Sequence, residues 1–143
     1  MVYIEEKAEI EASAETVFNI LNKNIDYPRW NKVIDESKKL GEGRFLIKSS
    51  IGEYTVIRKD VVLNESLTFI HEGSPFSEVG ETITLKGNGV EVILWGEVKD
   101  ESKIDMLIKP MKLFIESLKV YAEFLESGGI PEEFNKSELV AIQ

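Results

Sequence analysis

Residues 2 to 11 alternate along the chain: Val2, Ile4, Ala8 and Ile10 share one parity, and Tyr3, Glu5, Lys7, Glu9 and Glu11 share the other. A period of two with one apolar row predicts a strand with one wet face. Glu6 interrupts the inner row, so the signal is stronger in the second half. Ser13 offers a hydroxyl to cap a helix starting at Ala14, with Val17, Phe18, Leu21 and, at its end, Ile25 at helical spacing on the buried face. Pro28, inside Asp26-Tyr27-Pro28-Arg29-Trp30, suits the first turn of a second short helix.

A run of short strands is predicted next, at 32–40, 43–50, 53–63, 66–73, 79–87 and 89–98. Gly41-Glu42-Gly43, Ile51-Gly52, Asn64-Glu65 and the longer Gly73-Ser74-Pro75 separate them. Asn88-Gly89 is the strongest local signal, because both residues tolerate the positive φ of a type I′ hairpin turn. Links this short make the strands antiparallel neighbours.

From Ser102 the period changes. Ile104, Ile108, Met111, Ile115, Leu118, Ala122 and Leu125 step by four and three, and Leu107, Phe114 and Tyr121 widen the stripe. This predicts a helix of about six turns, roughly 35 Å long. Ser102 is its expected cap, with Asp105 favourable to the helix dipole, and Gly128-Gly129 its stop. Pro110 predicts a kink, or a start made of two segments. The expected organisation is one α+β domain over residues 1–129 with a C-terminal tail over 130–143, whose apolar end can fray or dock. A single long helix must cover the whole sheet, so the sheet is expected to curve around it.

Composition narrows the function classes. The 143 residues include no cysteine, which removes disulfides, thiolate metal sites and cysteine nucleophiles. The net charge of −9, with lysines scattered rather than striped, argues against nucleic acid and against an anionic membrane surface. No stretch approaches the ~20 apolar residues of a membrane span. The N-terminus lacks the basic and apolar regions of a signal peptide, which places the protein in the cytoplasm on this reading.

Two stretches carry a resemblance. Ala8-Glu9-Ile10-Glu11-Ala12-Ser13-Ala14-Glu15-Thr16-Val17-Phe18 is similar to the opening of the START/Bet v 1-like superfamily, which includes the polyketide cyclase/dehydrase-like and SRPBCC proteins. There a strand ends at a small residue and enters a helix with a Val-aromatic pair. Asp26-Tyr27-Pro28-Arg29-Trp30 resembles the same superfamily's Tyr-Pro-x-Trp segment. The resemblance spans residues 2 to about 127 and implies a helix-grip fold: a curved antiparallel sheet around a long C-terminal helix, with a ligand cavity between them. It implies binding or transport of a small apolar molecule such as a lipid, quinone or polyketide, with no cofactor. It also admits a polyketide cyclase or dehydratase, or an interaction module of the chaperone co-activator kind, for which a small or filled cavity is expected. Fold alone does not choose among them.

The candidate chemistry is sparse. His71 is the only histidine, so a multi-histidine metal site is excluded and any Ser-His-Asp triad must pass through it. With Leu67 and Phe69 it shares a strand parity, which brings it to the cavity if that face points inward; its plainer role is a strand-end histidine satisfied by solvent. Arg58 is expected beside His71 if Asn64-Glu65 is a two-residue turn, as a clamp for a ligand carboxylate or simply as a surface residue. Tyr54 is the remaining polar candidate, and Trp30, Leu107, Met111, Phe114 and Ile115 are the apolar ones, each equally at home in plain core. Ile93 and Trp95 lie on the parity opposite Val92 and Leu94, as a homodimer contact or a patch covered by the tail.

Overall fold

The structure is a computed structural model that describes residues 2–137. Its elements in chain order are β1 (Val2–Ile10), α1 (Ala14–Leu21), α2 (Tyr27–Trp30), β2 (Ile34–Gly41), β3 (Arg44–Ser49), β4 (Gly52–Val62), β5 (Ser66–Glu72), β6 (Phe76–Lys86), β7 (Gly89–Val98) and α3 (Ile104–Glu126). The seven strands form one antiparallel sheet in the order β1-β7-β6-β5-β4-β3-β2. Only β1 leaves sequence order: the pair of short helices carries the chain away, and β7 returns to close on it. The inner face of this curved sheet and α3 enclose the core, so the fold is the helix grip expected from the element order.

The local chemistry explains most element boundaries. Ser13 caps α1, its Oγ accepting from the Thr16 N–H at 3.1 Å. Val17, Phe18, Ile20 and Leu21 are buried along α1, whereas Ile25 is exposed; the short 3₁₀ turn after α1 rotates Asn24 inward in its place. Pro28 stands in the first turn of α2. A Schellman motif ends α3: the Gly129 N–H donates to the Phe124 carbonyl and the Gly128 N–H to that of Leu125, with Gly128 at φ 99°.

Three local expectations are corrected. The cap before α3 is Asp100, which accepts from the Ser102 N–H to start a 3₁₀ turn that runs into the helix, while Ser102 itself caps nothing. The helix runs unbroken through Pro110 rather than as two segments, and its buried line follows Leu107, Met111, Ile115, Leu118 and Ala122, leaving Ile108 exposed. The last hairpin turns on Gly87-Asn88, because Lys86 pairs with Gly89. Gly87, at φ 59°, supplies the positive φ that a type II′ turn needs at its first central position.

Gly89 is required for a different reason. A Cβ there would lie 2.1 Å from the Ile10 carbonyl oxygen, a main-chain atom at the end of the β1–β7 ladder. Gly89→Ala is expected to destabilise the fold by ~2–4 kcal/mol, since backbone must move to admit the methyl. Urea denaturation with unchanged m-value would register it.

The helix is tied to the first strand and to the start of α1. Glu123 Oε2 accepts from the Glu11 N–H at 2.9 Å, Glu126 Oε1 from the Ser13 N–H at 2.7 Å, and Lys119 Nζ donates to the Glu9 carbonyl at 2.7 Å. These bonds hold the C-terminal half of α3 close to β1. Beyond the helix, Phe134 packs on Tyr121 and Phe124, and Lys136 Nζ donates to the Ile34 carbonyl at 2.8 Å. The apolar end of the tail lies outside the described residues. No helix among the described residues is long and apolar enough to cross a membrane.

Candidate ligand cavity

Because α3 is drawn toward β1, its first half spans the concave sheet without filling the space beneath. A cavity of about 70 Å³ remains. Tyr54, Val56, Phe69 and His71 line it from β4 and β5, Val79, Glu81 and Leu94 from β6 and β7, and Pro110, Met111 and Phe114 from α3. Asn24 and Tyr27 close it from the region of the short helices, and Phe76 from the start of β6. At ~10–15 Å³ of centre volume per water, it has room for about five to seven water-sized groups. The half-buried side chains of Ile51, Pro110 and Phe114 form its rim.

Glu81 is the most unusual wall residue. It sits opposite Leu94 on β7 and Leu67 on β5, both fully inward-facing, so the pleat drives its side chain into the core. It is 2% exposed, and its Oε1 has no hydrogen-bond partner among the described residues. Burial pushes its carboxyl up to about 8, so near neutral pH it is a protonated acid rather than a carboxylate.

His71 is also sealed. Its Nδ1 lies 2.9 Å from Ser74 Oγ, its ring stacks on Tyr54 at 4.7 Å between centroids, and it meets Phe76 edge-on. Ser74, not solvent, therefore satisfies it, which corrects the expected wet strand end. Ser74 Oγ accepts from the Phe76 N–H at 3.0 Å, so its own proton is best spent on His71 Nδ1. Burial lowers the His71 pKa to about 3, so the imidazole is neutral. Tyr54, pushed up to about 12 by burial, and Tyr27, raised well above the usual phenol value for the same reason, are neutral as well. Tyr27 spends its hydroxyl on the Leu21 carbonyl at 2.6 Å.

Of the residues singled out in the sequence, Tyr54, Phe69, His71, Met111 and Phe114 share this cavity wall. Trp30, Leu107 and Ile115 do not: all three are buried in close-packed core. Trp30 lies flat on Tyr121 at 6.0 Å and edge-on to Phe114. Arg58 is neither beside His71 nor in the wall. The β4–β5 loop is three residues long, Leu63 to Glu65, and a bulge follows between Arg58 and Asp60. Together they shift the register by two, so Val56 faces His71 and Arg58 faces Phe69. The Arg58 guanidinium donates to the Asn22 carbonyl at 2.9 Å, closing the C-terminal end of α1. Arg58→Ala is expected to cost ~1.5–3 kcal/mol, the scale of a charge-assisted hydrogen bond, without touching the cavity. Calorimetric melting measures the loss.

Glu81 escaped the sequence analysis although its signal is present: it occupies an apolar row between Val79 and Ile83. On the outer face, Trp95 covers Gly80, where a Cβ would meet its ring at 2.5 Å, and neighbours Tyr3 at 6.0 Å. The described part of the tail packs on α3 and leaves this patch uncovered. No group of three or more acidic or histidine side chains suited to a metal occurs among the described residues.

A concave antiparallel sheet gripping one long helix over an internal cavity defines the START/Bet v 1-like fold, and comparison with solved structures agrees. A START-superfamily protein from Mycobacterium smegmatis superposes with a TM-score of 0.71 at 20% identity, covering 86% of this chain and 98% of that one. The Zhui aromatase/cyclase from Streptomyces sp. R1128 gives 0.72 at 12% identity, covering 90% and 99%. The Aha1 dimer from Colwellia psychrerythraea gives 0.70 at 19%, covering 86% and 97%. At these identities the likeness is one of fold. No protein-family model matches the sequence, and no curated protein does.

Proposed function

We propose that the protein binds a small, largely apolar molecule in the cavity between the sheet and α3, with a polar group of the ligand set against Glu81 and His71. The supporting observation is the unpaired Glu81 Oε1 in a mostly apolar wall. An unpaired buried carboxyl costs stability, and no contact among the described residues offsets that cost. A ligand group that completes its hydrogen bonding would. The cavity accepts a molecule of a few heavy atoms as it stands; a full lipid or polyketide would have to displace Met111 in the wall and Phe114 at the rim. Comparison of native and denatured masses of the purified protein tests the proposal. A released small molecule supports it. A bare mass, followed by no binding from a panel of small apolar compounds, argues against it.

A second reading is acid–base turnover of the cyclase or dehydratase kind. Glu81, buried with a carboxyl near neutrality, is poised to give and take a proton, and His71 shares its wall. His71→Ala separates the two. Binding is expected to weaken less than ~10-fold, the scale of one neutral hydrogen bond, whereas turnover through His71 would fall ~100-fold or more. The small cavity also fits the interaction-module reading, but that reading gives Glu81 no role. Self-association, if it belongs to the function, is proposed for the outer strip of Tyr3, Ile93 and Trp95; a monomeric sedimentation mass excludes it.

A further inference from the structure

Two acceptors on the cavity wall are left without donors among the described residues: Glu81 Oε1 and Asn24 Oδ1. A ligand offering only a carbonyl could accept one hydrogen bond from protonated Glu81, and it would leave Asn24 Oδ1 unsatisfied. A ligand offering several N–H groups would serve both. Among the described residues the wall holds no lysine or arginine, so no cation of the wall balances a Glu81 carboxylate. The rest of the wall is rich in aromatic residues, Tyr27, Tyr54, Phe69, Phe76 and Phe114, and a ring face attracts a cation stripped of water. The chain's net charge of −9 favours the approach of a cation and disfavours an anion.

We propose that the cavity is a site for a small organic ammonium ion, a primary or secondary amine bearing an apolar group, with Glu81 as its carboxylate counter-ion and Asn24 Oδ1 as a second acceptor. This deepens the ligand-binding proposal above and rests on it. Tyr27, Tyr54 and His71, the other titratable groups on the wall, stay neutral around pH 7, so Glu81 alone changes its protonation when the ammonium enters. The free protein holds a proton there that the ion pair must expel.

Isothermal titration of the wild-type chain at pH 7 with isobutylamine, and with isobutyl alcohol as the neutral isostere, both small enough for the cavity as it stands, tests this. Repetition in buffers of different ionisation enthalpy counts protons. Isobutylamine is expected to bind at least ~10-fold more tightly than the alcohol, releasing close to one proton per site, and the alcohol to release none. Glu81→Gln is expected to remove both the preference and the proton release. Proton release also fits a neutral amine beside a protonated Glu81, so the side-chain carboxyl ¹³C shift of Glu81 in the complex is read as well: its ionised value is expected, and a protonated value overturns the counter-ion assignment. Neither reading needs a variant, so a poorly folding Glu81→Gln protein leaves the test intact. Alcohol binding as tightly as the amine, or amine binding without proton release, overturns the ammonium assignment while the cavity remains a binding site. Binding of neither overturns both.

Discussion

Glu81→Gln is expected to abolish a loss of stability that the wild-type protein suffers as pH rises. In the unfolded chain this carboxyl titrates near 4.5, and in the folded protein it titrates at about 8. Between those values the native state holds a proton that the unfolded state has released. Stability therefore falls with increasing pH across that window, by ~1.36 kcal/mol per unit. The full difference is on the order of 4–5 kcal/mol and is in place above pH 8. Glutamine keeps the shape and stays neutral, so the difference in unfolding free energy between variant and wild type should grow in the variant's favour from pH 5 to pH 9. Any fixed cost of burying the amide shifts the curve without changing its slope. Chemical denaturation at a series of pH values measures it, and parallel curves would contradict the assignment. His71 acts in the opposite sense: its folded pKa of about 3 lies below the ordinary 6.5, so its contribution is lost as pH falls through that interval.

Trp30→Ala is expected to be the most damaging truncation in the core, costing ~3–5 kcal/mol. The side chain is fully buried and contacts Tyr27, Phe114 and Tyr121, so its removal leaves a void among rings that cannot close around it. For a chain of this length the melting temperature should drop by roughly 10–20 °C. Trp30→Phe should cost much less, because it keeps a ring in place and removes an indole Nε1 that has no hydrogen-bond partner among the described residues. Similar losses from both variants would mean that Trp30 acts through something other than packing.

The contrast between Trp30 and Glu81 shows what the sequence could and could not reveal. Periodicity reports which residues share a face, so the strand–helix–helix–strands–helix order and the common row of Leu67, Phe69 and His71 were legible, but several strands carry apolar residues on both faces, which left open the row that points inward. It does not report whether an inward side chain meets atoms or empty space. Trp30, Leu107 and Ile115 were chosen by the same rule as Met111 and Phe114. The seating of α3 on the sheet, with Glu123, Glu126 and Lys119 bonded to the end of β1 and the start of α1, decides which of them border the void. Register is similarly non-local: one extra loop residue and one bulge moved Arg58 two places from His71, onto the end of α1. Glu81 was readable from its row, as a charge between Val79 and Ile83, much as Glu6 stood out in β1. Gly89 marked a real constraint that belongs to the approach of Ile10 rather than to the turn.

The central claim is that the space under the first half of α3 is a binding site, and the methionines allow it to be tested. Met111 lies on the cavity wall, whereas Met106, little more than one turn earlier on the same helix, is 47% exposed. Methyl NMR of the protein labelled at the methionine ε-carbons, titrated with toluene, should move the Met111 resonance in a saturable way and leave that of Met106 in place. A Met111 signal that stays put at saturating toluene, or two signals that drift together without saturation, would contradict the claim.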